Sequence, residues 1–420
     1  MKKISIVLCL LASALASCDL LDGAGHLSGH SRAEEENAGK RIPQQEKEPP
    51  RRLDTIIYVS AVSFEEGYDW HLDTLTRSAP RSLVLLENGS LLCSVPAGST
   101  ASDTPDRHRI ENGHLYSYAM HDGKTVVAKD GKEAFRYSPA ENIYGLIEAD
   151  GAIWTLGESP EGGISLRRNG TAVFYDGEGY SFGSPGDPGE RLFTKDGKPC
   201  FLYFRNEGGA ASVTRRCFMV SGTTAAEFVP QKAFVNVMDL RLLDGQPCLA
   251  GVAEEGDGAI SLLQGGQLFS YAIPGYDRPG SCILLPDGGG GLLMEGVCST
   301  LGGQPATYIC DSSGEVLGCM PVKSGSIMAF AGEGRHAVVS SLNGTGRLDL
   351  SLDGEVTRIE GKYLLLSRRC GCFAGGGFYL GLNPSAAGEK PFVLTPSGKS
   401  IPVDINGFIT EVKVILEEKE

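Results

Sequence analysis

Paired turn residues recur along this chain at a nearly fixed step, and that step limits the folds available to it. Asn88-Gly89, Asp130-Gly131, Asn169-Gly170, Ser221-Gly222, Gly265-Gly266, Ser313-Gly314, Asp353-Gly354 and Ser397-Gly398 each separate two short runs rich in branched and aromatic residues. The intervals between their glycines are 42, 39, 52, 44, 48, 40 and 44 residues. A second series lies between the first: Asn112-Gly113, Asp150-Gly151, Asp196-Gly197, Asp244-Gly245, Asp287-Gly288, Gly332 to Gly334 and Gly375 to Gly377. Asn-Gly and Asp-Gly pairs accept the positive φ that two-residue hairpins demand. Two alternating turn series at one period mean two hairpins per repeat, hence four antiparallel strands. Repeats of this length with four strands each predict an all-β propeller.

The count predicts eight blades. Seven is the alternative if the weak repeat near residues 105–138 belongs to its neighbour, and two stacked β-sandwiches are the competing architecture. Residues 53–97 supply only three strands: Ile56 to Ser63, Leu83 to Leu86 and Leu91 to Val95. Phe408 to Leu416 is left over at the other end. It is expected to become the innermost strand of the first blade, closing the ring and removing open edges. Runs such as Ile283-Leu284-Leu285 and Tyr363-Leu364-Leu365-Leu366 are apolar on both faces, as strands packed between two blades must be. Trp154 falls inside a strand and reads as core. No segment from residue 53 onward carries a helical apolar stripe.

Three parts follow from composition. Residues 1–17 combine Lys2 and Lys3 with an apolar stretch from Ile4 to Leu15 too short to span a bilayer comfortably, which reads as a signal peptide. Residues 18–52 hold Glu34-Glu35-Glu36, Gln44-Gln45 and Pro49-Pro50 and lack the apolar content to offset ordering entropy, so they read as a tether reaching roughly 30–35 Å. Residues 53–420 are the propeller domain. Leu15-Ala16-Ser17-Cys18 resembles the bacterial lipobox. The resemblance implies cleavage before Cys18 and acylation there by diacylglycerol and palmitate-type chains, which would hold the protein on a membrane. Asp19 and Asp22 resemble surface-export signals of Bacteroidetes lipoproteins. Taken whole, the chain resembles uncharacterised β-propeller lipoproteins of that group, in period and turn chemistry over residues 53–416. The expected location is the outer membrane, on its periplasmic face or at the cell surface. Neither the Gly-His and Trp-Asp pairs of tryptophan–aspartate repeats nor the kelch pattern is present.

The formal net charge of -14, without basic runs or stripes, argues against nucleic acid as a partner. No cofactor motif is present. Gly179-Tyr180-Ser181-Phe182-Gly183 matches the nucleophile-elbow pattern, yet no strand–turn–helix context surrounds it. Gly288 to Gly291 lacks the Lys-Ser or Lys-Thr of a phosphate loop. The histidines, including His114 and His121, lack helical metal spacing, and Cys370-Gly371-Cys372 is a single close pair, so no metal site is expected. Cys282, Cys298, Cys310 and Cys319 fall in one repeat, where hairpin register pairs neither Cys282 with Cys298 nor Cys310 with Cys319. Buried free thiols are expected, as also at the equivalent positions Cys200 and Cys248.

In a propeller, the loops between second and third strands share one face with the loops between blades. The glycine turns take the other face. The long loops carry Tyr68, Trp70 and His71, then Arg107, then Tyr180 and Phe182, then Tyr276 and Arg278. Aromatic and arginine side chains in loops suit hot spots and sugar-stacking platforms; the opposing expectation is that they plug the loops onto the blades. The sequence therefore favours a monomeric, non-enzymatic binding or scaffold module for a protein or glycan. The alternative is a polysaccharide-active hydrolase or lyase drawing acid and base from Asp69, His71, Asp73 and Asp277.

Overall fold

The computed structural model describes residues 53–71, 79–98, 107–158, 162–177, 180–181, 191–207, 214–228, 234–254, 260–276, 278–300, 302–343, 345–364, 366–386 and 388–418. The signal-like segment, the tether and Cys18 lie outside them. Eight antiparallel sheets follow one another along the chain. The second blade spans His108–Glu111, His114–His121, Lys124–Lys129 and Lys132–Tyr137, which settles the weak repeat as a blade of its own. The third covers residues 142–176, the fourth 180–228, the fifth 234–271, the sixth 278–321, the seventh 325–360 and the eighth 363–402.

The first blade closes the ring. Its sheet order places Gly407–Glu418 beside Leu53–Phe64, then Arg81–Glu87, then Ser90–Pro96. The C-terminal strand is therefore innermost, as expected. Leu53 pairs with Glu418 and Val62 with Phe408, with one bulge between Ser60 and Ala61. Both ends of the wheel thus lie on the tight-turn face.

Turn chemistry explains the hairpins. Asn88, Asn112, Asp130, Asp150, Asn169, Asp196, Asp244 and Asp353 all have positive φ, and each is followed by a glycine that also does. These are two-residue turns whose twist matches the flanking strands. Ser221 departs from this pattern: it pairs with Thr224, so Gly222 is the first turn residue, with φ +61°.

The core is divided by seams. Eight apolar clusters exist among the described residues, and each joins one pair of neighbouring blades. Alternation within a strand feeds two of them. Leu83 and Leu85 pack toward the second blade, while Val84 and Leu86 pack toward the eighth. The closing seam is built like the others: Ile57, Val59, Ile409 and Val412 of the first blade meet Cys370, Tyr379 and Val393 of the eighth. Each fully buried side chain of this size contributes about 1.5–3 kcal/mol.

Two blades differ from the rest. In the fourth, Tyr180–Ser181 and Leu192–Lys195 both pair with Lys198–Glu207. In the eighth, Tyr363–Leu364 and Gly371–Ala374 both pair with Gly377–Pro384. The innermost strand is interrupted in both, and these two blades stand opposite each other in an eight-membered ring. This corrects two expectations. Tyr180 lies in an innermost strand, not in a between-blade loop, because its backbone pairs with Arg205. The run from Tyr363 to Leu366 is not one strand: strand structure ends at Leu364, and a 3₁₀ turn at Arg368–Cys370 precedes the next strand, Gly371–Ala374. Among the described residues no helix is long and apolar enough to cross a membrane.

Candidate functional site

The connection after Phe64 folds back onto the first blade. Asn406 Nδ2 donates to the carbonyl oxygens of Glu65 (2.6 Å) and Tyr68 (2.9 Å), and the amide of Phe64 donates to the Asn406 carbonyl. Tyr68 stacks on Phe64 with ring centroids 5.4 Å apart. Trp70 is 6% exposed and packs on Phe408 of the closing strand at 5.2 Å. His71 stacks on Trp70 at 3.7 Å. His71 Nε2 donates to the carbonyl oxygen of Pro384 in the eighth blade (3.0 Å), and Nδ1 lies 3.2 Å from Asp69. This aromatic group spans the closing seam on the loop face. Trp70 and His71 act there as a clasp: the Trp70 ring is buried rather than presented to solvent.

The other sequence-selected residues occupy separate blades. Arg107 directly precedes the second blade, where His108–Glu111 is a strand rather than the loop end that was expected. Tyr276 is half-buried at the entrance to the sixth blade and packs on its seam with the fifth. Arg278 begins a strand of the sixth blade, correcting its expected place in a loop; its side chain, that of Tyr180, and the whole of Phe182, Asp73 and Asp277 lie outside the described residues. Among the described side chains, Tyr68, Trp70 and His71 are brought together, with Asp69.

Sequence reasoning did not find the charged groups that knit the inner strands. The innermost strand of each blade is an edge, and its axis-side amides need acceptors. Buried Asp239 accepts from the amide of Leu284 in the next blade (2.9 Å), from Arg191 Nη1 of the previous blade (2.6 Å), and from Arg241 Nε (3.3 Å). Glu295 accepts from the Ala329 amide (2.7 Å) and from Arg368. Glu411 accepts from the Ile110 amide (2.9 Å) and lies 3.6 Å from Arg369 Nη1. Asn383 does the same without charge, accepting from the Ile409 amide at 2.7 Å. Glu141 and Asp176 are held by Arg167 and Arg205. Arg368 and Arg369 sit side by side in the break of the eighth blade's inner strand. One reaches the sixth blade and the other reaches the second, donating to the His108 carbonyl at 2.5 Å.

Burial raises the Glu411 carboxyl above its ordinary range, against the pull of Arg369, Arg109, the Ile110 amide and Lys413. The strongly shifted groups are otherwise tyrosines and cysteines. Burial pushes the Cys248, Cys310 and Cys372 thiols up to about 12 and the Cys298 thiol up to about 11. Such thiols are poor nucleophiles. None of the ten cysteines among the described residues is joined in a disulfide. Register agrees with the sequence reading: Cys282 faces Gly296, and Cys310 faces Val316. Among the described residues no group of three or more His, Cys, Asp and Glu side chains is placed to hold a metal ion.

Exposed apolar side chains are unevenly distributed. Met120, Val235, Val297, Val322, Leu342 and Leu366 lie toward the loop face, while Leu91, Leu92, Tyr175, Phe269 and Val356 lie on outermost strands.

No protein-family model and no curated protein matches the chain. Among solved structures it is similar to the quinohemoprotein alcohol dehydrogenase ADHIIG of Pseudomonas putida HK5, at 10% identity and a TM-score of 0.41, over 78% of this chain and 71% of that one. It is similar to the β-propeller domain of the Trilobed protease of Pyrococcus furiosus, at 12% identity and a TM-score of 0.42, over 73% and 95%. It is also similar to TolB of Acinetobacter baumannii, at 12% identity and a TM-score of 0.32, over 85% and 82%.

Proposed function

We propose that this protein is a lipid-anchored cell-envelope module, akin to propeller lipoproteins of Bacteroidetes, that binds a protein or glycan through its loop face without catalysing a reaction. The observation that carries the reading is the set of exposed apolar side chains on that face, namely Met120, Val235, Val297, Val322, Leu342 and Leu366. Exposed apolar side chains on a loop face are available to a partner surface. The inner carboxylates Asp239, Glu295, Glu141 and Asp176 support the same reading, since each is committed to a neighbouring amide or arginine. A general acid or base needs a proton it can give or take. Acylation at Cys18 supplies the anchor in this reading. Leu53, the first residue of the wheel's first described strand, lies on the tight-turn face.

The test is a glycan and peptide array probed with the full chain, then repeated with Val235→Glu/Val322→Glu and, as a control, Val356→Glu on an outermost strand. Binding should fall at least tenfold in the first variant and stay unchanged in the control. Loss in the control alone, or turnover of an arrayed glycan, would overturn the reading. Anchoring is read separately: Cys18→Ser should abolish incorporation of labelled palmitate and move the protein to the soluble fraction.

A further inference from the structure

A cavity of about 220 Å³ lies where the inner strands of the fourth, fifth and sixth blades come together. The break in the fourth blade gives it room. Tyr180 and Ser181 pair with Arg205 and Phe204, and pairing resumes only at Leu192, opposite Phe201. Leu202 and Tyr203 fall between, so the inner-strand pairing lapses beside Leu202, which lines the cavity. Phe193 of the resumed strand, Leu240 and Leu242 of the fifth blade's inner strand, and Pro286 at the end of the sixth blade's complete an apolar wall.

Two guanidinium groups share the cavity with that wall. Arg191 Nη1 and Arg241 Nε both donate to Asp239, which also accepts from the Leu284 amide. One carboxylate thus fixes an arginine from each of two blades beside the same space. Among the described residues that line the cavity, none is a carboxylate. A guanidinium is a planar fork of donors matched to a carboxylate. The two side chains are 4% and 11% exposed, so solvent and salt screen them weakly. The wall sets the rest of the ligand. A cavity of about 150 Å³ lined by aliphatic and aromatic groups takes benzene. Roughly half as much space again accommodates one ring with a short acidic arm. An inorganic anion would leave the apolar wall unfilled, and a neutral hydrocarbon would displace water from the guanidiniums and return no acceptor.

We infer that this cavity binds a small aryl monocarboxylate such as phenylacetate, with Arg191 and Arg241 gripping the carboxylate and Phe193, Leu202 and Leu242 enclosing the ring. The site uses none of the exposed apolar side chains assigned to the loop face, so it stands or falls independently of that reading.

The experiment is isothermal titration calorimetry of the full-length protein with sodium phenylacetate, repeated at two temperatures. One equivalent should bind, with a negative heat-capacity change from burial of the ring. Phenylacetamide keeps the shape without the charge, and acetate keeps the charge without the ring; each should bind at least tenfold more weakly. Arg241→Gln should weaken phenylacetate binding at least tenfold. Leu242→Trp, which fills the space from a half-buried position, should abolish it and keeps the test intact where loss of an Asp239 partner impairs folding of the arginine variant. Arg358→Gln, on the outermost strand of the seventh blade, should bind as the parent does. The peptide Ala-Ala-Ala-Phe carries the same two groups on a longer chain and should bind more weakly than the free acid. No uptake of phenylacetate, equal uptake of phenylacetamide, tighter binding of the peptide, or binding unchanged in Leu242→Trp would overturn the assignment.

Discussion

Replacing Asp239 with alanine tests whether the inner carboxylates hold the blades together. Asp239 is fully buried and takes hydrogen bonds from Arg191, Arg241 and the Leu284 amide. Its removal leaves one buried and one partly buried cation and one amide without that acceptor, and breaking a buried ion pair from one side costs about 3–5 kcal/mol. The entropy of unfolding is near 2.1 cal/mol/K per residue, or roughly 0.8 kcal/mol/K over residues 53–418, so the expected fall in apparent melting temperature is about 4–6 °C. Asp239→Asn should fall between the parent and Asp239→Ala, because its carbonyl can still accept from Leu284. Differential scanning calorimetry of the three proteins provides the readout. The exposed pair Lys390–Asp404 is the control, where Lys390→Ala should change little. If Asp239→Ala melts with the parent while keeping its β-sheet circular dichroism, the seam carboxylates do not carry the role assigned to them.

Three further outcomes follow from named contacts. Glu411 has a raised carboxyl, so the folded state holds that proton more tightly than the unfolded state; its stabilising contribution is present below the ordinary carboxyl range and is lost as pH climbs through the raised value. Glu411→Gln, which cannot ionise, should therefore gain melting temperature relative to the parent as pH rises above the ordinary carboxyl range, and a pH-independent gap would refute this. Trp70→Ala should cost about 3–5 kcal/mol in denaturant titration, because the ring is buried against Phe408; loss of ligand binding at unchanged stability would refute the clasp. A methyl group at Gly407 would lie 1.8 Å from the Val62 carbonyl oxygen, so Gly407→Ala should destabilise the wheel by on the order of 1–3 kcal/mol or more in the same titration.

The fold was legible because its information is local. Asn88-Gly89 and its counterparts announce hairpins by backbone chemistry alone, and their spacing sets the blade. The unpaired run Phe408 to Leu416 announced closure because an eight-blade count left the first blade one strand short. The breaks in the fourth and eighth inner strands were not legible. Ser184-Pro185-Gly186 reads as any loop, and Leu364 to Leu366 reads as continuous strand. The arginine–carboxylate seams were hidden for a different reason. Asp239 and Arg191 are 48 positions apart, and one polar residue inside a strand gives no sign of which neighbour it meets. Trp70 shows the limit at the candidate site: an aromatic residue in a loop suits a platform or a plug equally, and only the position of Phe408 decides between them.

The most direct test of the closed wheel is hydrogen exchange on the full-length protein, followed by mass spectrometry over peptides from residues 53–64 and 407–418. With the two strands paired from Leu53–Glu418 to Ser63–Gly407, both peptides should be protected to the same degree and lose protection together with the blades beside them. Rapid exchange of residues 407–418 while the second to seventh blades stay protected would show an open ring and contradict the account.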